Sequence, residues 1–188
     1  MFDLIKHLVK NDIQHAVSDS GSITVTNDLD LEDVSCVDTL PDNLTVGGSL
    51  YLSGTSITTL PDNLTVGGSL HLSGTSITTL PDNLTVGGWL YLRGTSITTL
   101  PDHFSCNSLY LDAERISNIA YRKNCGYSSR TIFAAWTGKE YRIAAGCFFG
   151  TIKQFEQAVG NKCDGSTAEA YKKAASDCLA ELAAKLNK

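Results

Sequence analysis

Between residues 40 and 99 the apolar positions return with a fixed period of 20. Residues 40–59 read LPDNLTVGGSLYLSGTSITT, 60–79 read LPDNLTVGGSLHLSGTSITT and 80–99 read LPDNLTVGGWLYLRGTSITT. Seventeen of the 20 positions are the same in all three copies. A more divergent copy follows at 100–119, one residue shorter before its SLYL, and a degenerate one precedes at 22–39. In the latter, Ile23, Val25, Leu29 and Leu31 match Leu44, Val46, Leu50 and Leu52. A fixed period with spaced leucines predicts a repeat solenoid of about five coils, whose divergent end copies close an otherwise open core.

Each copy has a local physical reading. Leu50 and Leu52 alternate with Ser49, Tyr51 and Ser53, which predicts one short strand with a single inward face. Gly54 is free to take positive φ in the following turn. Pro41-Asp42 and its copies open a tight turn, and Gly47-Gly48 makes a second corner. The column Asp42, Asp62, Asp82 and Asp102 is expected to cap backbone N–H groups in its own turns rather than hold calcium. The Asn-Leu-Thr triplets at Asn43, Asn63 and Asn83 are read as turn chemistry only. No metal site is expected.

The two ends differ from the repeats. The spacing of Ile5, Leu8, Val9, Ile13, Ala16 and Val17 predicts an amphipathic helix over 2–18, ended by Gly21, capping the solenoid. From residue 120, leucine disappears until Leu179. Segments 131–136 and 139–149 predict a hairpin around Thr137-Gly138. Capping boxes at Thr151/Gln154 and Ser166/Glu169 predict two helices. The first turns Ile152, Phe155 and Val159 inward. The second carries Tyr171, Ala175, Cys178, Leu179, Leu182 and Leu186 on one stripe. The expected organisation is a capping helix at 1–19, a solenoid at 20–119 and a small α+β capping domain of ββαα order at 120–188.

The spacing Cys106-xx-Leu109-x-Leu111-xxxx-Ile116 resembles the strand of a leucine-rich repeat, and the LPDNL corner resembles the short "LP" repeats of bacterial effector proteins. With MFDLIKHLVK at its start and the AGCFFGT element, the chain is similar as a whole to small leucine-rich-repeat proteins of phages and prophages. The resemblance implies a binding role, in the cytoplasm of a bacterium or of an infected host cell. Two departures stand out. Thr55, Thr75 and Thr95 occupy the position where the family carries its ladder Asn, and copies 1–3 hold one extra residue at the double glycine. The ubiquitin-ligase domain of the bacterial effectors is several times larger than this tail, so that activity does not carry over.

The three differences between the near-identical copies fall at 49/69/89 (Ser, Ser, Trp), 51/71/91 (Tyr, His, Tyr) and 53/73/93 (Ser, Ser, Arg). These positions are spaced by two along the strand and face away from Leu50 and Leu52. Tyr51, His71, Trp89, Tyr91, Arg93, Tyr110 and Asp112 are therefore the candidate binding residues. Trp, Tyr and Arg dominate the energetic centres of protein interfaces. The acids Asp28, Asp30 and Glu32 lie at one end of the same face.

The formal net charge is -5, which argues against a general nucleic-acid binder. It is unevenly placed: 1–118 holds 4 basic and 14 acidic side chains, and 119–188 holds 11 basic and 6 acidic. No run reaches the roughly 18 apolar residues that span a bilayer, and charges interrupt the apolar N-terminus, so neither a membrane span nor a secretory signal is expected. The six cysteines are widely spaced and read as reduced thiols; Cys147 is expected to be buried and structural. No HExxH, GxSxG, Walker or GxGxxG motif occurs. The expectation is a non-enzymatic, cofactor-free module that binds a host or viral protein. The alternatives are an acidic mimic of nucleic acid that inhibits a host DNA-binding protein, and a carbohydrate-binding module.

Overall fold

The computed structural model describes residues 2–34, 36–125 and 129–187. The chain divides into two compact units, Met1–Leu111 and Asp112–Lys188.

The first unit is a two-sheeted parallel β-solenoid of about four full turns. Its first sheet contains β2 (Ile23–Val25), β4 (Leu44–Val46), β6 (Thr65–Val66), β8 (Leu84–Val86) and β10 (Phe104–Ser105). Its second sheet contains β3 (Leu29–Asp30), β5 (Leu50–Tyr51), β7 (Leu70–His71), β9 (Trp89–Tyr91) and β11 (Ser108–Tyr110). Each coil thus has two strands, not the single one expected. The Leu-Thr-Val segment alternates buried, outward, buried like any strand, but it is only three residues long and the double glycine behind it hides the periodicity. The register places each residue on its own copy: Leu50 on Leu70 on Leu90, and Val46 on Val66 on Val86. Leu44, Val46, Leu50, Leu52, Ile57 and Leu60 and their copies fill the interior.

The double glycines make this stacking possible. A Cβ on Gly67 would collide with the carbonyl oxygen of Gly47 in the coil below, and one on Gly87 with that of Gly67. Only a bare backbone can turn the corner at this separation. At the opposite corner it is Asn, not Asp, that makes the turn. Asn43, Asn63 and Asn83 take φ of 56°, 59° and 63°, a left-handed conformation Asn tolerates best after Gly. Asn63 Nδ2 also donates to Asn43 Oδ1 at 3.2 Å. The Asp42, Asp62 and Asp82 carboxylates, expected as caps, are exposed and make no such bond among the described residues. Thr55, Thr75 and Thr95 are buried, and each hydroxyl donates to a carbonyl in its own turn, Leu52, Leu72 and Leu92, at 2.7–2.8 Å. The side chain therefore closes its own coil rather than bridging two.

The N-terminal helix is shorter than the apolar spacing implies. α1 spans Leu4–Lys10, with Asp3 accepting from the Lys6 N–H at its start and Leu4 and Leu8 buried. Asp12 leaves the helix at φ 53°. The chain then forms β1 (His15–Val17), antiparallel to β2 on the edge of the first sheet. Ile13, Ala16 and Val17 fit a helical spacing, but an unpaired sheet edge offers backbone hydrogen bonds that a solvent-exposed second half of the helix lacks. Val9 and Val17 are accordingly exposed.

The second unit begins eight residues earlier than the expected boundary. After β11 the chain has Asp-Ala-Glu-Arg where the other copies have Ser/Arg-Gly-Thr-Ser, and it forms a 3-10 turn over Ala113–Arg115 instead of the glycine turn. Four antiparallel strands follow, paired in chain order: β12 (Ala120–Cys125), β13 (Arg130–Trp136), β14 (Tyr141–Ala145) and β15 (Phe148–Gly150). The expected hairpin is β13–β14, and 139–149 contains a second turn at Gly146 (φ 62°) that yields β15. The unit is thus ββββαα. α2 (Ile152–Lys162) starts with the predicted reciprocal capping box of Thr151 and Gln154. α3 (Gly165–Leu186) starts earlier than predicted, with Asp164 at its N-cap, so Ser166 and Glu169 do not form a box there. Ile132, Ala134 and Ile143 of the sheet pack with Phe155, Val159, Tyr171, Ala175, Cys178 and Leu182 of the helices.

Gly67→Ala is expected to lower stability by about 2 kcal/mol, because overpacking at a backbone contact cannot relax cheaply. The urea-unfolding midpoint measures it, with exposed Thr58→Ala expected to stay within about 0.5 kcal/mol of the parent.

Candidate functional site

The outer face of the second sheet carries the sequence variation. β5, β7, β9 and β11 hold Tyr51, His71, Tyr91 and Tyr110 in one column, since the parallel register sets each opposite the next. Their rings form a continuous stack. Tyr51 and His71 centroids lie 4.5 Å apart at 22°, His71 and Tyr91 4.4 Å at 23°, and Tyr91 and Tyr110 5.0 Å at 13°. Trp89 flanks the stack, edge-on to Tyr91 at 5.8 Å and tilted against Tyr110 at 5.9 Å. It stays 44% exposed, whereas Tyr51, Tyr91 and Tyr110 are half-buried. Arg93, two residues beyond Tyr91, is exposed and makes no ion pair among the described residues. Six of the seven predicted site residues therefore share this face of the first unit. The seventh, Asp112, belongs to the second unit, at the start of the 3-10 turn.

The neighbouring column has a different role from the display expected of it. Asp28 Oδ1 accepts from the Ser49 N–H at 2.6 Å, Ser49 Oγ from the Ser69 N–H at 3.1 Å, and Ser69 Oγ from the Trp89 N–H at 3.0 Å. Each side chain caps a backbone donor of the next coil at the glycine corner. The serines are thus part of the scaffold, and the ladder of caps ends where Trp89 replaces the third serine. A small hydroxyl directly after a double glycine, twice in succession, is the sequence signal for this role. Asp30 likewise spends an oxygen on a local donor, the Glu32 N–H at 3.0 Å.

The ladder sets the electrostatics of the face. Burial between two rings holds the His71 imidazole below its ordinary 6.5, against the Glu32 carboxylate, which acts in the opposite direction. Burial also raises the Tyr91 phenol above its ordinary 10.0, aided by Tyr110 and Tyr51. The stack thus favours neutral rings. Because the inner rings are covered on both sides, a partner meets their edges, together with Trp89, the outer side of Tyr51 and the Arg93 guanidinium. This suits shape and edge recognition.

Cys147, expected to be buried, is exposed on the turn between β14 and β15. The turn is too short to fold the thiol under the sheet. The interior thiol of this unit is Cys178, which burial pushes up to about 11. Among the described residues no group of three or more His, Cys, Asp or Glu could hold a metal, and no helix is long and apolar enough to cross a membrane. Comparison with protein-family models, curated proteins and solved structures finds no match.

The His71 environment predicts a pH effect. A depressed imidazole pKa means the unfolded chain binds more protons than the folded one just below pH 6.5. The contribution is fully present above that pH and is lost as the pH falls toward the lowered folded pKa. His71→Tyr repeats the ring of the neighbouring coils without the charge. Its stability relative to the parent is expected to rise between pH 7.5 and pH 5, read by urea unfolding at both. A pH-independent difference would show that the stack does not disfavour the imidazolium.

Proposed function

We propose that this chain is a non-enzymatic protein-binding module of the phage-type leucine-rich-repeat kind. It engages a host or viral protein through the outer face of its second sheet, in the cytoplasm of a bacterium or an infected host cell. The observation that carries this reading is the division of labour within each repeat. Among copies 40–59, 60–79 and 80–99 the inward residues, the Leu-Pro turn and the double glycine are the same, and every difference falls on the outer face of the second sheet, two of the three differing positions lying in the ring column or beyond it at 53/73/93. At its most varied point the face offers an exposed Trp89 beside Tyr91 and the unpaired Arg93. Large side chains of restricted rotamer freedom, set on a rigid sheet, bind at low entropic cost. The Leu-x-Leu strand and Leu-Pro corner support the repeat family, with threonine taking over the closing role at the usual Asn position.

The same geometry ranks the alternatives lower. A sugar or a nucleobase stacks on an open ring face, and the two inner rings, His71 and Tyr91, are stacked on both sides while Tyr51 and Tyr110 each give one side to a neighbour. For a nucleic-acid mimic, Asp28 and Asp30 are engaged with backbone N–H groups, and the free row of Asp42, Asp62 and Asp82 is the same in all three near-identical copies and lies outside the variable columns. The chemistry of a catalytic site is also thin. His71 is the only group of the stack that titrates near neutrality, and burial biases it toward its neutral form.

The test is capture from host cytosol by the parent and by Trp89→Ala/Tyr91→Ala/Arg93→Ala, with the variant first shown to unfold at a similar urea concentration. A protein held by the parent is then titrated against Trp89→Ala alone, for which a loss of about 2 kcal/mol, roughly 30-fold in Kd, is expected of an interface centre. Equal affinity for the parent and the triple variant would refute binding through this face.

A further inference from the structure

The second unit contains a groove that the repeat face does not explain. It has a volume of about 270 Å³ and lies between the β14–β15 turn and the α2–α3 junction. This is near the lower end for small-molecule sites, which run from roughly 300 Å³ upward. Its floor is apolar: Phe148 from β15, Phe155, Ala158 and Val159 from one face of α2, and the ring of Tyr171 from α3. Phe148 meets Phe155 edge-on, with centroids 5.4 Å apart, which fixes the floor as a rigid corner.

Two cations stand at this apolar corner. Arg130 begins β13 and its guanidinium reaches over the β14–β15 turn, where a Cβ on Gly146 would sit 3.6 Å from Nη1. Lys162 closes α2. Most cations of this unit are paired: Arg122 and Lys185 with Glu181, Lys123 with Glu114, Arg142 with Glu140, Lys172 with Glu169 and Lys173 with Asp177. Among the described residues of the unit, the cations without an ion pair are Arg115, Arg130, Lys139, Lys153 and Lys162, and two of these five line the same groove. An apolar floor with unpaired positive charge at its rim matches a molecule with a compact apolar body and one anionic end. A guanidinium can grip a carboxylate through two parallel N–H···O bonds, and the ammonium adds a second point charge.

We propose that this groove binds a small amphiphilic carboxylate, its apolar body against Phe148, Phe155 and Val159 and its carboxylate between Arg130 and Lys162. The site is independent of the ring stack and does not rest on the function proposed above. The exposed Cys147 thiol lines the groove and reports on its occupancy.

The test uses the full chain with decanoate below its micelle concentration and decanol as its neutral counterpart. Calorimetry reads affinity, and maleimide labelling read by peptide mass spectrometry reports on Cys147, with exposed Cys36 of the first unit as internal control. Decanoate is expected to slow labelling of Cys147 several-fold and to leave Cys36 unchanged, with decanol about tenfold weaker or more. Arg130→Gln/Lys162→Gln is expected to lose about tenfold in decanoate affinity or more, while Lys139→Gln/Lys153→Gln, with the same net charge, keeps the parent value. All four substitutions are at surface side chains without ion pairs, and circular dichroism checks the fold. Unchanged Cys147 labelling at saturating decanoate, equal binding of decanol, or equal losses in the two double variants would each overturn the proposal.

Discussion

Self-stacking governs the solenoid. Neighbouring parallel strands lie about 4.8 Å apart, and a period of 20 in strict register puts every side chain on a copy of itself at that distance. Each position must therefore be compatible with its own repetition. Leucine and valine satisfy this inward, where identical branched side chains interdigitate. At the Gly47/Gly67/Gly87 corner no side chain at all is compatible, because the backbone of the next coil occupies the Cβ position. Asn43 and Asn63 answer it by pairing amide to amide. Ser49 and Ser69 answer it by handing each hydroxyl to the next backbone N–H. Buried Thr55 answers it by turning back onto the Leu52 carbonyl of its own coil, which leaves nothing polar to be satisfied from above or below.

The same filter explains the outer face. Tyrosine on tyrosine is an offset stack, which adds stability beyond the area covered. Histidine fits between two tyrosines as a neutral ring, and the lowering of its pKa is the cost of a cation in that place. Like charges stacked at this spacing repel, so carboxylates survive only where water screens them, as at exposed Asp42, Asp62 and Asp82, or where a backbone donor takes them up, as at Asp28. A residue that would be wasteful in every coil, such as Trp89 or Arg93, can appear once, near the end of the repeats, where the neighbours are already divergent.

What the sequence revealed tracks this physics. The period, the inward leucines, the left-handed Gly54 and the outward set at 49, 51 and 53 follow from identity between copies and from alternation, and the structure has them all. The second strand of each coil escaped notice because Leu44-Thr45-Val46 is too short for a two-residue period to register. The ring stack needed the register as well as the alternation: nothing in one copy says that Tyr51 lies 4.5 Å from His71. The scaffold role of Ser49 and Ser69 was hidden by treating every variable position as display. At the ends, helical spacing in 13–17 lost to edge pairing with β2, and β12 went unseen because Arg122-Lys123-Asn124 breaks its apolar pattern and a bulge interrupts its pairing. Cys147 looked interior from its apolar neighbours, yet a residue at the tip of a tight turn is exposed whatever its neighbours are.

Repetition also limits the kinds of site each unit can build. A stack of identical coils presents columns, and a column offers a partner one chemistry at many points. It does not bring an arginine, a lysine, two thiols and a phenylalanine together around a small volume, because each would recur in every coil. Convergence of unlike side chains needs elements that differ in direction and sequence. In the second unit a turn between antiparallel strands meets the end of one helix and the start of another, and Arg130, Cys147 and the Lys162-Cys163 pair come from three separate segments. The macromolecular contact proposed for the repeats thus suits an array where length and rigidity matter, and the small-molecule site proposed for the second unit suits a fold where no residue is obliged to stack on its copy. The two differ in charge as well as in geometry, since the acidic side chains are concentrated in the first and the basic ones in the second. That division accords with the two separate sites proposed for them.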